Sequence, residues 1–363
     1  MGRKKEMKEL ASIIKNFRKG ELDVKLDEEH VERWLSQFSE ESQDVILKET
    51  THIFSELYFN KDDIKEGFLD KVITYLMQEY STCENVVFVS MQESGHSQRI
   101  LVDMLEKRVQ KNYGFSIQRE VTNTPQTIVY LDDGLYTGST AKKELISLIE
   151  RLPANCRIDV FFMIAHSSSL WHASSLWHVK NVVIPEARKK NISIEIFPRI
   201  CLETNKHIPR YDYEHSRFNH QEHLWPSPSL RSIPVFAQYG DCVEEALRSN
   251  NSPAIKYVYR EGVWDDDEGI FSSVKNRNIV EQEFFLQGLK IYQSMSDPKG
   301  NYPLGYNTYA SFGFGSFCAS DLNIPNTCPL VLWWGNVRKR GDALDKWYPL
   351  LPRRTNGMGP CAW

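Results

Sequence analysis

The sequence has little of what marks a secreted, membrane-spanning or nucleic-acid-coating protein. Its seven cysteines, Cys83, Cys156, Cys201, Cys242, Cys318, Cys328 and Cys361, are odd in number, scattered and nowhere spaced C-x-x-C, which argues against a disulfide framework or a cysteine-rich zinc site. The longest apolar run, Val160 to Ala165, is far short of the roughly 20 residues a membrane helix needs. The basic start Gly2-Arg3-Lys4-Lys5 turns to mixed charge with no signal-peptide core behind it, so a cytoplasmic protein is expected. Charge of one sign is lacking as well. With 44 basic and 48 acidic residues the net charge is −4, and no global cationic field holds the chain to nucleic acid or anionic lipid. There is no internal repeat and no low-complexity linker.

What is present is an ordinary globular balance. The 363 residues are 41% hydrophobic and 25% charged, enough for about two domains at roughly 150 residues each. Aromatics make up 12%, with 9 Trp and 16 Tyr, which implies either thick packing layers or a stacking surface; composition does not separate the two.

Periodicity divides the chain. From Asp27 to Tyr80 apolar residues recur at three- and four-residue spacings (Trp34, Leu35, Phe38, Ile46, Ile53, Phe54, Leu57, Phe68, Val72, Ile73, Leu76), the pattern of amphipathic helices. Ser39 before Glu40-Glu41, and Asn60 before Asp62-Asp63, read as helix starts. After Tyr80 short β-branched runs, Val86 to Val89, Ile128 to Leu131, Ile158 to Ile164 and Ile192 to Ile196, alternate with helix-like stretches at Ser97 to Gln110, Ser139 to Arg151 and Leu170 to Lys180. Such alternation predicts an α/β domain with a parallel sheet and crossover helices. Beyond Cys201 comes a Pro-, His- and aromatic-rich segment, then a helical pattern from Ile279 to Tyr292 and a Gly-, Asn- and aromatic-rich tail. The expected organisation is a helical unit over 1–80, an α/β core over 81–205 and a C-terminal extension over 206–363 that packs on the core.

Chemistry concentrates in Ile128-Val129-Tyr130-Leu131-Asp132-Asp133-Gly134-Leu135-Tyr136-Thr137-Gly138-Ser139-Thr140. This order predicts a buried strand, an acidic pair at its carboxyl end, a hydroxyl-rich turn and a helix start. Ligands of open α/β sheets bind outside the carboxyl ends of the strands. Thr137 to Thr140 would offer hydroxyls and backbone N–H groups at a helix N-terminus, which suits a phosphate dianion. Two adjacent carboxylates repel a phosphate but suit the vicinal hydroxyls of a ribose, directly or through a divalent ion. A strand whose acidic turn merely caps the next helix would share part of this order.

The segment resembles the signature of type I phosphoribosyltransferases: four hydrophobics, two acids and a Thr-Gly-x-Thr type loop. That resemblance implies that Asp132 and Asp133 hold the ribose hydroxyls of phosphoribosyl pyrophosphate, and bind magnesium indirectly. It also implies that Tyr136, Thr137, Gly138, Ser139 and Thr140 surround the 5-phosphate. Three positions depart from the pattern: Tyr130 replaces a smaller aliphatic residue, Gly134 stands where a branched aliphatic is usual, and Tyr136 is bulky where Thr or Ala is common. A second family element, a loop that offers N–H groups to the pyrophosphate, corresponds to Ser94-Gly95-His96-Ser97 after the strand Val86 to Val89. The same residues also fit an ordinary helix cap. Phe312-Gly313-Phe314-Gly315-Ser316, Asn323-Ile324-Pro325-Asn326-Thr327-Cys328-Pro329-Leu330, Leu332-Trp333-Trp334 and Trp347-Tyr348-Pro349-Leu350-Leu351-Pro352-Arg353, with the early Trp34-Leu35-x-Gln37-Phe38, resemble phosphoribosyltransferase-like proteins of bacterial anti-phage conflict systems, including retron-associated effectors.

The resemblance implies a magnesium-dependent enzyme that makes or breaks a glycosidic bond on a ribose 5-phosphate compound, with a defence-system protein or nucleic acid as partner and no membrane. Its alternative is a catalytically inactive nucleotide sensor or scaffold on the same fold. Trp333, Trp334 and Tyr211 are aromatic candidates for stacking a base, each with packing as the plainer role. His207, His215, His220 and His223 lie among Asp212, Glu214 and Glu222 without H-E-x-x-H order, which favours a polar surface or lid over a zinc site. Arg338-Lys339-Arg340 and Arg353-Arg354 are the local basic runs, and such runs usually face solvent.

Overall fold

The computed structural model describes residues 2–81, 86–92, 97–124, 126–166, 182–202, 222–252, 255, 258–260, 266–308, 310–338, 341 and 343–353. In chain order the main elements are α1 (Gly2–Ile14), α2 (Glu28–Leu35), α3 (Glu40–Leu57), β1 (Tyr58–Phe59), a wide helical turn over Asp63–Leu69, α4 (Asp70–Tyr80), β2 (Val86–Val89), α5 (Ser97–Tyr113), β3 (Thr127–Leu135), α6 (Ser139–Arg151), β4 (Arg157–His166), α7 (Ile184–Lys189), β5 (Ser193–Leu202), α8 (Pro234–Ser249), α9 (Val274–Gln293), β6 (Ala319–Ser320) and α10 (Leu330–Trp333). The helix expected over Leu170 to Lys180 lies outside the described residues. Two compact units result, Lys61–Pro209 and the paired segments Met1–Asn60 with Arg210–Trp363. Residues 61–80 thus fall with the sheet, and residues 1–60 fall with the C-terminal segment.

In the unit 61–209, β2, β3, β4 and β5 form one sheet in that order, every pair parallel. The inner strands are largely apolar because a parallel sheet is covered on both faces: all four residues of β2 and nine of the ten in β4 are buried, whereas β5, at the edge of the sheet, buries only Leu202. On one face Val87, Val89, Ile128, Tyr130, Ile158, Val160 and Phe162 pack with Ala141, Leu145, Leu148 and Ile149 of α6 and with Ala187 of α7. On the other, Tyr75 of α4 lies 4.6 Å from the ring of Phe197 and 5.5 Å from that of Phe161. Lys190 closes α6 by donating from Nζ to the carbonyls of Ile149, Glu150 and Leu152, which would otherwise be orphaned at the helix end.

The discontinuous unit has a core built from both ends of the chain. Trp34 of α2 and Trp347 of the tail donate their indole N–H groups to the same carbonyl, Val331 of α10, at 2.9 and 2.8 Å. Phe236 of α8 meets Phe285 of α9 with ring centroids 4.2 Å apart, and Phe312 lies 4.9 Å from Phe236. Trp34, Trp225, Trp333 and Trp347 are buried. The aromatic surplus is in large part packing, and β1 pairs with β6 in a short parallel ladder that no periodicity announces.

Burial holds two imidazoles neutral: His30 is lowered to about 4 and His166, the last residue of β4, to about 3. The Nε2 of His30 faces the carbonyl of Leu350, which can only accept, so Nε2 carries the proton and Nδ1 accepts from Tyr348. Both groups take up a proton in the unfolded chain below about 6.5 and resist it when folded. Their contribution is therefore complete above that pH and is lost as pH falls towards the folded value. Going from pH 7 to pH 5 is expected to remove up to about 2 kcal/mol per histidine. Thermal melts at the two pH values check this: His30→Gln and His166→Gln should each flatten the acid dependence, and an unchanged slope would contradict it.

Candidate functional site

The acidic pair does not sit beyond the strand as the apolar run alone predicts. β3 continues through it to Leu135, because Asp132, Gly134 and Leu135 still have partners in β4, namely Phe162, Ile164 and Ala165. The two carboxyl groups stay close, and the Asp133 side chain hydrogen-bonds that of Asp132. Asp132 is buried and Asp133 is half-buried.

Asp132 sits in a network of neutral and acidic groups. Its Oδ1 accepts from the backbone N–H of Asp133 at 2.9 Å and lies 3.4 Å from Ser97 Oγ and 3.5 Å from Gln92 Nε2. Its Oδ2 lies 3.3 Å from the Tyr130 hydroxyl and 3.4 Å from Gln98 Nε2. Both of those donors reach Glu144 Oε2 of α6, at 2.6 and 2.7 Å. Burial, then the neighbouring Asp133 and Glu144 behind it, push the Asp132 carboxyl well above the usual carboxylate range. Burial and the same two carboxylates, Asp132 and Glu144, push the Tyr130 phenol well above its ordinary value. Tyr130, the first departure from the signature, thus gives its one hydroxyl proton to buried Glu144, with Asp132 3.3 Å away. Gln92, Gln98 and Glu144 carry no signal in the sequence, where isolated polar residues in a helix or strand have no periodic pattern.

The other two departures compensate each other. A Cβ built on Gly134 would lie 2.3 Å from Cε2 of Tyr136 and 2.6 Å from its Cζ and hydroxyl, so the Tyr136 ring folds back into the space that a branched side chain would fill. On its other side the ring meets His166, with centroids 5.1 Å apart and planes at 44°. The buried imidazole at the carboxyl end of β4 thereby forms part of the wall next to Tyr136, and the sequence offered no motif around it. Gly134→Val is expected to cost about 1–3 kcal/mol through overpacking, and Gly134→Val with Tyr136→Thr to recover most of it. Urea melts of the single and double variants measure the difference; a double variant no better than the single would refute the compensation.

The turn that follows prepares a helix end. Gly138 takes the left-handed conformation at φ 75° as the N-cap of α6, where a side chain would be strained. Its carbonyl accepts the N–H of Lys142 at 2.9 Å, and Thr137 Oγ1 is 3.5 Å from Ser139 Oγ. Thr137 and Ser139 are half-buried and Thr140 is exposed. A half-buried carboxylate, hydroxyls and a helix N-terminus therefore converge at the carboxyl edge of one sheet. This arrangement can bind a polyol bearing an anion. Of the second expected loop, Ser97 opens α5 and is buried, while Ser94, Gly95 and His96 lie outside the described residues.

The model of the PRTase-CE family matches residues 31–353. The chain belongs to that family. It is a phosphoribosyltransferase-like protein, and its α/β fold with a parallel sheet agrees with the family. Among curated proteins none matches the chain.

Residues considered for other roles fall elsewhere. Trp333 is buried, donates its indole N–H to the carbonyl of Cys328 at 2.8 Å and lies under the Arg353 guanidinium at 5.6 Å, so it packs; Trp334 is half-buried. Tyr211, His207, His215 and His220 lie outside the described residues. His223 is buried, its ring stacked 5.8 Å from Trp225. No group of three or more His, Cys, Asp or Glu that could hold a metal ion occurs among the described residues. Arg338 pairs with Asp23 at 2.9 Å. Among the described residues no helix is long and apolar enough to cross a membrane.

Proposed function

We propose that the chain is an enzyme acting on a ribose 5-phosphate compound, phosphoribosyl pyrophosphate or a nucleotide, at the carboxyl edge of β3. The observation that carries this reading is the acidic pair leading directly into the Thr137-Gly138-Ser139-Thr140 turn at the N-terminus of α6. In this reading the hydroxyls and N–H groups of the turn bind the 5-phosphate, and the acidic strand end takes the ribose hydroxyls. The resemblance assigns the pyrophosphate to Ser94, Gly95, His96 and Ser97, of which Ser97 is among the described residues. The protein supplies position and charge rather than a strong base.

The donor set fits magnesium only indirectly: Asp132 is buried and no group of three or more ligating side chains occurs among the described residues. Asp132 and Asp133 would hold the ion indirectly, and when bound it would supply positive charge against the leaving diphosphate. The tail motifs quoted above support a place in anti-phage defence, as an effector with a protein or nucleic-acid partner.

Titration of the full chain with magnesium and phosphoribosyl pyrophosphate tests the substrate class. A rise in melting temperature is expected, about 2–3 kcal/mol of stabilisation at 100 times the dissociation constant. No shift with phosphoribosyl pyrophosphate or with any nucleoside monophosphate would overturn the reading. Binding without any change in nucleotide pools of expressing cells would instead identify a sensor.

A further inference from the structure

We infer that the lysine face of α1 is a docking surface for the phosphate backbone of a nucleic-acid duplex, bound without regard to base sequence. This places the nucleic-acid partner of the functional reading above on the chain, rests on that part of it, and is independent of the ribose 5-phosphate site.

Charge placement is the first ground. Lys4, Lys8, Ser12 and Lys15 follow one another at spacings of four, four and three residues, which puts them on one helix face, with Lys5 beside them. All five are exposed, and Glu9 is the only exposed acid within α1. The N-terminal end of a helix is the positive end of its dipole and favours acids. Accordingly α2 begins with Glu28 and Glu29, and α3 with Glu40 and Glu41. α1 instead begins with Arg3, Lys4 and Lys5 and has no acid in its first turn. Lys4 and Lys8, four apart, also repel each other. Arg3 reaches Asp44 and Glu32 at 3.0 and 3.2 Å, whereas among the described residues no carboxylate pairs with Lys4, Lys5, Lys8 or Lys15. Charges that work against their own helix and gain no internal partner point to a partner outside the chain.

A fixed backbone is the second ground. Leu10, Ala11 and Ile14 bury the opposite side of α1 in the core of their unit, and Phe17 just beyond the helix is buried with them. The N–H of Arg18 then donates to the carbonyl of Asp321 at 2.8 Å. From Lys4 to Lys15 the axis rises about 16 Å. The same length along a duplex spans roughly five phosphates of one strand.

The make-up of the face selects among polyanions. No exposed residue of α1 is apolar or aromatic. A helix that lies in a lipid surface buries its apolar side there, and that side of α1 is turned into the core. Single strands are held by stacking their bases on aromatic rings, which this face lacks. Protein interfaces are poor in lysine. Point charges on flexible stems, with no group to read a base, suit the phosphates of a duplex.

Fluorescence anisotropy of the full chain with a labelled DNA duplex of about 20 base pairs and scrambled sequence, across roughly 50–200 mM salt, tests this. Wild-type protein should bind, with an affinity that falls steeply as salt rises. Joint substitution of Lys4→Gln, Lys8→Gln and Lys15→Gln should lower the slope of log affinity against log salt by about 3 and weaken binding at least about tenfold. Glutamine forms helix about as well as lysine, so the melting temperature of this variant should equal or exceed that of wild type. Glu9→Lys should tighten binding and steepen the slope by about 1. Lys107→Gln with Lys111→Gln, two exposed lysines of α5, should change affinity by less than about twofold.

Wild-type protein that does not bind the duplex at the lowest salt would overturn the inference. So would a triple variant with wild-type affinity and slope, or a loss as large in the α5 pair. Tighter binding to vesicles of anionic phospholipid, or to the matching single strand, that the triple variant abolishes would give the face to those ligands and overturn it as well. If the triple variant melts below wild type, the gain expected of Glu9→Lys decides alone. The titration with phosphoribosyl pyrophosphate uses a different site, so failure here is told apart from failure of the substrate reading.

Discussion

Asp133→Asn should weaken binding of magnesium phosphoribosyl pyrophosphate by roughly 100-fold or more and abolish any effect of the protein on cellular nucleotide pools. The reason is chemical and local. Two vicinal hydroxyls can donate together to the two oxygens of a carboxylate, whereas the amide of asparagine replaces one acceptor by a donor that faces the same hydrogens. The substitution also removes the charge that, after burial, does most to raise the Asp132 carboxyl. Folding should therefore be unharmed, with a melting temperature within about 2 °C of wild type or slightly above it. Loss of binding with an intact melt supports the site. Binding and nucleotide pools equal to those of wild type would remove Asp133 from it, and with it the proposed ribose contact.

That site was legible in the sequence as an order of residue types: strand, acids, hydroxyls, helix. Its internal geometry was not. An apolar run ends at Leu131, but pairing with Phe162, Ile164 and Ala165 carries the strand on to Leu135, so the acidic pair lies within the strand and not in the turn after it. Tyr130, Gly134 and Tyr136 read from sequence as three separate departures from the signature. In three dimensions they are two local solutions, a phenol that donates to buried Glu144 beside Asp132 and a ring that fills the space above a glycine. Such compensation depends on neighbours across strands, which spacing along the chain does not encode. His166 carried no motif and became visible only as the end of β4 beside Tyr136.

The fold shows the same division. The alternation of β-branched runs and amphipathic stretches predicts the parallel sheet, since period and length are local properties. Which segments share a core is not local. The stripe containing Trp34 and Phe38 predicts a buried face in α2 and the turn after it, yet the groups that cover it are Val331, Phe284 and Trp347. A hydrophobic face specifies that it must be covered, and by roughly how much area, but not from which part of the chain.

Arg277→Leu should lower stability by about 3–5 kcal/mol, or a melting temperature lower by about 10 °C. Arg277 lies in α9 and is fully buried. Its Nε donates to Glu281 at 2.9 Å, and its terminal nitrogens donate to the carbonyls of Asp267 and His223 at 2.8 and 2.9 Å. Glu281 also accepts the backbone N–H of Trp225 at 2.7 Å and faces Arg260, itself fully buried, at 3.4 Å. Leucine fills part of the volume but takes from the Glu281 carboxylate the nearer of its two guanidinium partners and leaves the His223 carbonyl without its donor. The cost of uncovering a buried charge then exceeds any gain in apolar contact. Arg277→Lys keeps the charge but cannot fork towards three acceptors at once, so it should fall between wild type and leucine. Glu281→Leu in the Arg277→Leu background should deepen the loss, because it takes the carboxylate from buried Arg260 and the acceptor from the Trp225 N–H. If calorimetric melts place the double variant at or above Arg277→Leu alone, packing around α9 rather than the buried charges governs stability here.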